Sequence, residues 1–155
     1  MKISEKGFTL IELLVTVVII AILATISIVV YSTVLKNSRD AKRQNDLRLI
    51  QSALEDFRGD QNYLPLSTGS CGNGTFTLNC PLKNPTGAKV YLNNISSDPI
   101  SSNLQYCYLS LPSGCNNTTT NCSSYEIYAK LENPPSGSPN YTCSSNTYNF
   151  KITPP

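Results

Sequence analysis

One carboxylate stands inside a long apolar segment near the start of the chain. Glu12 lies within residues 8–30, a run whose other exceptions are hydroxyl side chains. An unpaired carboxylate in hydrocarbon is costly, by several kcal/mol in order of magnitude. Glu12 must therefore take up a proton, reach a polar interface, or pair with a positive charge.

The composition argues against a conventional catalytic site. The chain of 155 residues has no histidine, the commonest general base. A Ser-His-Asp or Cys-His site is therefore impossible, and we expect no catalytic residue and no cofactor. With no Cys-x-x-Cys pair and no histidine, we also expect no zinc site.

Six cysteines favour disulfides in an oxidising, extracytoplasmic compartment over free thiols in a reducing cytosol. All of them lie in the loop-rich part of the chain after residue 70. Six cysteines allow fifteen pairings. The pairing we favour joins Cys71 to Cys80, Cys115 to Cys122, and Cys107 to Cys143.

The apolar run predicts a membrane-spanning helix. Residues 8–30, at about 1.5 Å each, span roughly 34 Å, enough to cross a hydrocarbon core of about 30 Å. The run is too long for a secretory signal, and no Ala-x-Ala-like site follows it. We expect its hydroxyls to bond back to backbone carbonyls; they belong to Thr9, Thr16, Thr25 and Ser27.

The helical pattern continues after the apolar run. Residues 36–58 contain no Pro or Gly, and Gly59 followed by Asp60 predicts the end of the helix. One apolar stripe recurs at helical spacing in this segment, which predicts an amphipathic helix. The stripe consists of Leu47, Ile50, Leu54 and Phe57.

Alternating side chains predict strands beyond a polar loop at residues 66–103. The segments are 104–111, 125–131 and a third containing Tyr148, Phe150 and Ile152. Short turn-rich connections favour an antiparallel meander. The predicted fold class is α+β: a long N-terminal helix whose second half packs on a small antiparallel sheet of about three strands.

The string Lys6–Glu12 (KGFTLIE), followed by an apolar helix, resembles the class III signal of type IV pilins and of the pseudopilins of type II secretion. The similarity is close over residues 6–24. It implies that Gly7 precedes the scissile bond, that Phe8 becomes an N-methylated N-terminus, and that Glu12 is the acidic residue of the family. Gly7 suits cleavage because no side chain obstructs a protease at the backbone.

The resemblance implies a partner for Glu12. The positive α-amine of Phe8 in a neighbouring subunit can offset the cost of the carboxylate and fix the axial register between subunits. The alternative is that Glu12, only five residues after Gly7, protonates or extends to the near interface. Glu12→Ala is expected to leave cleavage intact and to weaken assembly.

The resemblance also implies an organisation and a set of partners. Residues 1–7 are a leader, 8–30 the transmembrane and assembly helix, 31–58 its amphipathic continuation, and 59–155 a disulfide-containing head. The partners are a prepilin peptidase and N-methyltransferase, copies of the chain and related pilins, and a membrane-embedded assembly platform. The implied location is a single-pass membrane protein with an extracytoplasmic head, then an extracellular or periplasmic filament.

Weaker similarities extend into the head. Residues 60–65 resemble the Tyr-Pro turn that ends the long helix in many pseudopilins. Residues 91–99 resemble their segment ending in Asp-Pro, and residues 125–132 a recurrent strand. Residues 133–149 contain no Asp or Glu, so we expect no calcium site like that of the major pseudopilins.

Two features depart from the family pattern. Val29 and Ala21 replace the Pro and Gly of many relatives, which predicts an uninterrupted helix. Five cations follow the apolar run, and a positive-inside count would place the head in the cytoplasm, against the cysteines and the signal.

We expect these five cations to occupy a solvated or intersubunit helix face. A DNA-binding patch at Arg39, Lys42 and Arg43 is the alternative, but no interleaved aromatic residues support base stacking. The five are Lys36, Arg39, Lys42, Arg43 and Arg48.

The expected function is structural and not enzymatic: a subunit of a type IV pilus or of a type II secretion-like filament. One alternative is a minor pilin that primes assembly, or that acts as an adhesin or DNA-uptake component, although no specific nucleic acid is predicted. An alternative of another class is a signal-anchored surface protein that never assembles.

Overall fold

The computed structural model describes residues 7–67, 76, 80–93, 98–100 and 106–155, apart from the side chain of Val29. Backbone contacts divide the chain into two compact units, one ending at Asn37 and one comprising Ser38–Pro155. The predicted α+β class is confirmed, since one helix precedes a set of short antiparallel strands. The elements are α1 Leu10–Gln61, β1 Leu82–Lys83, β2 Val90–Leu92, β3 Cys107–Leu111, β4 Ser124–Ala129, β5 Tyr141–Cys143, β6 Asn146–Tyr148 and β7 Phe150–Ile152.

Helix α1 runs for 52 residues without interruption, as the missing Pro and Gly predicted. Within the first unit, every described residue from Gly7 to Asn37 is exposed, and Leu10–Ile28 is long and apolar enough to cross a membrane. Three of the four hydroxyls expected to bond back to the helix backbone do so, whereas Thr9 Oγ1 donates to the Glu12 carboxylate. The bonds join Thr16 Oγ1 to the Leu13 carbonyl, Thr25 Oγ1 to that of Ile22 and Ser27 Oγ to that of Leu23, at 2.7–2.8 Å.

The end of α1 differs from the prediction. The helix passes through Gly59 and Asp60 and ends at Gln61. Asn62 adopts a left-handed conformation with φ of 64°, and its N–H donates to the Arg58 carbonyl at 2.8 Å. Asn is the usual second choice to Gly at this position, so the cap is placed by Asn62 and not by Gly59.

The central sheet contains three antiparallel strands in the order β3-β4-β7. Tyr108 lies opposite Ile127, and Ile127 lies opposite Ile152, so one row of side chains crosses all three strands. This face packs with the second half of α1 in one buried cluster. The predicted stripe supplies the helix side of that cluster, since Leu47, Ile50, Leu54 and Phe57 are all fully buried.

The other face of the sheet carries a second, smaller cluster. Cys107 and Tyr128 pack there with Cys143 and Tyr148, which belong to the hairpin of β5 and β6. The alternation predicted for β3 and β4 is therefore confirmed, with odd and even positions facing different clusters. A disulfide between Cys107 and Cys143 joins the hairpin to β3.

The predicted third strand was wrong in its extent. Tyr148, Phe150 and Ile152 do not share one strand: Tyr148 ends β6, whereas the other two lie in β7. The β5–β6 hairpin turns at Ser144 and Ser145, both with positive φ, in a part of the chain where no hairpin was predicted. A second hairpin, β1–β2, lies in the predicted loop 66–103. Both hairpins have strands of two or three residues, too short for alternation to be recognised.

The segment after α1 is held against the sheet by polar contacts to its backbone. Tyr108 Oη donates to the Pro65 carbonyl at 2.7 Å. The side chain of Asn117 donates to the Leu64 carbonyl and accepts from the Cys122 N–H, both at 2.8 Å. The loop that carries Asn117 is closed by a disulfide between Cys115 and Cys122.

These two disulfides are the same pairs favoured from the sequence. The third favoured pair, Cys71 with Cys80, has Cys71 outside the described residues. Cys80 itself is buried and disulfide-bonded.

Candidate functional site

The candidate processing site lies just before the first turn of α1. Gly7, Phe8 and Thr9 are outside regular secondary structure, and the helix begins at Leu10. The Thr9 carbonyl accepts the first helical hydrogen bond, from the Leu13 N–H at 3.3 Å. Thr9 is therefore the N-cap residue, and the Gly7–Phe8 peptide bond precedes the helix.

Glu12 is bonded within its own chain. Its Oε2 accepts from the Thr9 N–H at 2.9 Å and from Thr9 Oγ1 at 2.7 Å. The Glu12 N–H in turn donates to Thr9 Oγ1 at 3.4 Å. These reciprocal contacts form a capping box, in which an N-cap hydroxyl residue and an acid three positions later satisfy each other's free backbone donors.

The capping box was missed in the sequence analysis, although its signal was present. A Thr, two intervening residues and a Glu directly before an apolar run is the pattern of such a cap. We instead expected Glu12 to become protonated, to extend to the interface, or to pair with an amine of another subunit. The structure adds a local partner, Thr9, that offsets part of the cost of the carboxylate.

One oxygen of Glu12 remains available for another donor. Both contacts from Thr9 reach Oε2, and no donor within the part of the chain that the structure describes bonds to Oε1. An ionised carboxylate accepts hydrogen bonds on both oxygens. An ammonium group from outside this chain can therefore bind at Oε1 while the capping box remains intact.

Gly7 and Phe8 are accessible. A Cβ placed on Gly7 would meet no atom within 4 Å, and Phe8 is 85% exposed. Nothing in the described part of the chain requires glycine at position 7. A requirement for glycine at this position would therefore come from an enzyme that binds the peptide.

A second group of charges lies in the unit Ser38–Pro155. We call it the Arg43 cluster and define it as Arg39, Asp40, Arg43, Asp98 and Glu132. Arg43 is 3% exposed and Asp40 is 4% exposed, so both are buried. The cluster joins α1 to the Asp98 segment and to the residues that follow β4.

Arg43 uses its whole guanidinium. Its Nε and Nη2 bind the two carboxylate oxygens of Asp98 at 2.6 and 2.9 Å. Its Nη1 donates to Asp40 at 2.7 Å and to Glu132 at 3.0 Å. Such a bidentate geometry is one that arginine provides and lysine does not.

The carboxylates of the cluster have further partners. Asp40 accepts from the backbone N–H groups of Glu132 and Asn133 at 2.9 and 2.8 Å. Arg39 binds both oxygens of Glu132, at 2.8 and 2.7 Å. The hydrogen bonds from Arg39 lower the pKa of Glu132 to about 2, and those from Arg43 act in the same direction. The hydrogen bonds that Arg43 donates to Asp98 raise the pKa of Arg43 above its ordinary value.

The cluster corrects the role expected for two of the cations. Arg43 is buried and not on a solvated face, and Arg39, whose side chain is 28% exposed, is bound by Glu132 of its own chain. Two ligands in the cluster, Asp98 and Glu132, were missed as charge partners. Both occur at the ends of segments singled out as resembling pseudopilins, but only the fold shows that they meet one arginine.

No group of three His, Cys, Asp or Glu side chains suited to a metal ion occurs within the described residues. The Arg43 cluster does contain three carboxylates, but guanidinium and backbone N–H groups bind their oxygens. The arrangement is therefore suited to holding three segments of the chain together.

Comparison with known proteins gives one match. Residues 3–28 match the family described as the prokaryotic N-terminal methylation motif. The matched segment includes Gly7, Phe8, the Thr9–Glu12 capping box and the apolar part of α1, so the resemblance stated for the N-terminal segment is confirmed. No curated protein and no solved structure matches the chain.

Proposed function

We propose that this chain, which carries the prepilin signal of type IV pilins and pseudopilins, is a structural subunit of a type IV pilus or of a type II secretion-like filament. The observation that supports the proposal is the methylation motif at residues 3–28, placed on a helix that can span a membrane. The motif is that of a structural family. In this proposal the chain is inserted as a precursor, cut, methylated and then assembled.

The proposed cut lies between Gly7 and Phe8. The bond precedes the helix, and its flanking residues are exposed, so a peptidase can bind the backbone in an extended form. The enzyme that the motif implies is a prepilin peptidase, and the same enzyme class methylates the new α-amine of Phe8. The cut leaves the whole of α1 in place as the membrane anchor and assembly helix.

Glu12 has the proposed role of receiving the α-amine of Phe8 from a neighbouring subunit. The capping box holds Oε2 on Thr9, which leaves Oε1 pointing to no partner among the described residues. Pairing there would neutralise two charges in an apolar environment and fix the axial position of one subunit against the next. The proposed assembly partners are copies of this chain and related pilins, on a membrane-embedded platform.

Mass spectrometry of the N-terminus tests the proposal directly. A chain that begins with methylated Phe8 is the expected result. Gly7→Val is the matched variant: a side chain fits at this position within the chain, so the second unit should fold normally while cleavage fails. An intact Met1 in the wild-type protein, produced with an active prepilin peptidase, contradicts the proposal. That result favours a signal-anchored protein that does not assemble.

The role of Glu12 is tested by two variants. Glu12→Ala removes the cap and the charge, whereas Glu12→Gln keeps an oxygen acceptor for Thr9 and removes the charge alone. We expect both variants to be cleaved and both to yield far fewer filaments, because neither can pair with an amine. Normal filaments from Glu12→Gln would show that the cap is sufficient and that the ion pair is not needed.

A further inference from the structure

The hairpin of β5 and β6 is attached to the central sheet by its side chains. Its strands form a two-stranded sheet of their own, and among the described residues no backbone hydrogen bond joins 141–148 to β3, β4 or β7. A lone hairpin is at best marginally stable in water, and these strands have only three residues each. The hairpin therefore depends for its place on side-chain packing and on the Cys107–Cys143 disulfide.

The turn of this hairpin is unfavourable for the residues that form it. Cys143 lies opposite Asn146, so the loop consists of Ser144 and Ser145, with φ of 47° and 68°. Positive φ at both loop residues is the pattern of a type I′ turn, for which Asn-Gly is the preferred sequence. A serine in the left-handed region is strained because its Cβ crowds the following carbonyl oxygen.

The strained turn lies beside the disulfide. Ser144 Oγ is 3.8 Å from Cys107 Sγ, and Cys143, the other half of the bridge, directly precedes the turn. The two cysteines are 36 residues apart in the chain, so the bond restrains a long loop that would otherwise be free to move. The covalent bond thus opposes relaxation of the turn at the place where the strain is held.

The hairpin covers aromatic side chains on the face of the sheet that does not pack with α1. The ring of Tyr128, in β4, contacts those of Tyr141 and Tyr148, with centroids 5.7 and 6.0 Å apart. Lys151 Nζ lies 5.0 Å from the centroid of the Tyr141 ring. This cluster is separate from the main core, so displacement of the hairpin would expose Tyr128 without breaking the contact between the sheet and α1.

We propose that residues 141–148 form a redox-controlled strap. Oxidation of Cys107 and Cys143 closes the strap over Tyr128, whereas reduction lets the strained turn relax and opens the strap while the rest of the unit Ser38–Pro155 stays folded. The reductant is a dithiol. One of its thiolates attacks Cys107 Sγ and forms a mixed disulfide, and its second thiolate then displaces Cys107; the dithiol is oxidised to a disulfide, and its two protons pass to the two cysteine thiols.

The strap gives the redox state of the chain a structural consequence. An oxidised chain has a closed sheet face, whereas a reduced chain exposes Tyr128 and the open hairpin to proteases. The Cys115–Cys122 disulfide differs, because its loop is bonded to the main core: Asn117 donates to the Leu64 carbonyl and accepts from the Cys122 N–H, both at 2.8 Å. We therefore expect this second bond to resist reduction for longer.

Graded reduction of the full chain in detergent micelles tests the strap. Dithiothreitol is raised stepwise, free thiols are alkylated at each step, and mass spectrometry identifies the labelled cysteines. Cys107 and Cys143 should be labelled at dithiothreitol concentrations roughly tenfold below those that label Cys115 and Cys122. Labelling of all four together, or of Cys115 and Cys122 first, overturns the proposal.

Amide hydrogen exchange locates the opening. In Cys107→Ser/Cys143→Ser, which cannot form the bond, the amides of 141–148 should exchange at least about tenfold faster, while those of β4 and of residues 47–57 keep wild-type rates. Cys115→Ser/Cys122→Ser is the matched control and should leave exchange in 141–148 unchanged. Unchanged exchange of the strap in the first variant overturns the proposal, as does an equal increase in β4.

The contribution of the turn is tested in both directions. Ser144→Asn/Ser145→Gly supplies the preferred type I′ sequence, so after reduction its strap amides should exchange roughly tenfold more slowly than those of the reduced wild type. Ser144→Val/Ser145→Val places β-branched residues at positive φ and should open at lower dithiothreitol concentrations than the wild type. Equal behaviour of the three proteins overturns the proposal.

The strap goes beyond the proposed function and is tested separately from it. None of these measurements requires cleavage after Gly7 or the formation of filaments. A chain that is cleaved and assembles but has no separable strap removes this proposal alone, and an uncleaved chain with a redox-controlled strap removes only the proposed function.

Discussion

Two charged residues of the same helix are accommodated in opposite ways. Glu12 lies in an exposed first turn and is bonded to Thr9, three residues away. Arg43 is buried and is bonded to Asp40, Asp98 and Glu132, which lie 3, 55 and 89 residues away. The first is a local arrangement within one helical turn, whereas the second requires the folded unit Ser38–Pro155.

The difference shows what each charge leaves available. The capping box engages one carboxylate oxygen of Glu12, so this residue can still receive a donor from another molecule. The Arg43 cluster engages the whole guanidinium, so Arg43 is a structural residue of its own chain. Glu12 and Arg43 thus differ in what they can bind, because the chain occupies one oxygen of Glu12 but every nitrogen of the Arg43 guanidinium.

The largest expected effect comes from removing Arg43. Arg43→Met leaves two carboxylates buried without their cation, and breaking a buried ion pair in this way costs about 3–5 kcal/mol. Arg48→Met, at an exposed position without a partner, should change the free energy of unfolding by less than about 0.5 kcal/mol. Urea unfolding of both variants in detergent measures the difference, and similar losses for the two would contradict the role of the cluster.

A smaller effect is expected from acid. The pKa of Glu132 is lowered in the folded protein to about 2, from an ordinary value of 4.5. A lowered pKa means that the ionised form stabilises the fold above about pH 4.5, and that this contribution is lost as the pH falls towards about 2. The melting temperature, measured from pH 7 to pH 2, should decrease between about pH 4.5 and about pH 2, where Arg39 and Arg43 remain charged.

Glu132→Gln provides the control for the acid experiment. Its melting temperature should be lower at pH 7 and should change less between pH 4.5 and pH 2, because the titrating group is gone. The remaining decline reports Asp60 and Glu126, whose pKa values are also lowered, by Lys89 and Lys151 respectively. Parallel curves for the variant and the unmodified protein would show that Glu132 does not contribute.

The smallest expected effect is at the capping box. Thr9→Val keeps the shape of the side chain and removes its hydroxyl, and loss of an N-cap costs about 1 kcal/mol. Amide exchange in micelles should show faster exchange in the first turn of α1, while Thr9→Ser keeps slow exchange. Thr16→Val is the control, because it removes a hydroxyl that bonds only one backbone carbonyl. Faster exchange of the first-turn amides in Thr16→Val would argue against a cap-specific effect.

The sequence was sufficient for features set by local periodicity. The helix, its apolar stripe and the alternation of Tyr125, Ile127 and Tyr128 all depend on repeats of 3.6 or 2 residues. The hairpins β1–β2 and β5–β6 escaped recognition because their strands are too short to repeat. The Arg43 cluster was not predicted because two of its carboxylates are distant from Arg43 in the chain. No local sequence pattern indicates that Asp98 and Glu132 bind the same arginine.

The Arg43 cluster also has a consequence for the order in which the chain is made. Arg39 and Arg43 are synthesised long before Asp98 and Glu132, so the nascent chain carries both cations before these two carboxylates exist. Asp40, three residues before Arg43, is already present, but the complete cluster forms only when the chain has been synthesised past residue 132 and has folded. The number of unpaired positive charges therefore differs between the nascent chain and the folded protein, and a chain truncated before residue 132 cannot complete the Arg43 cluster.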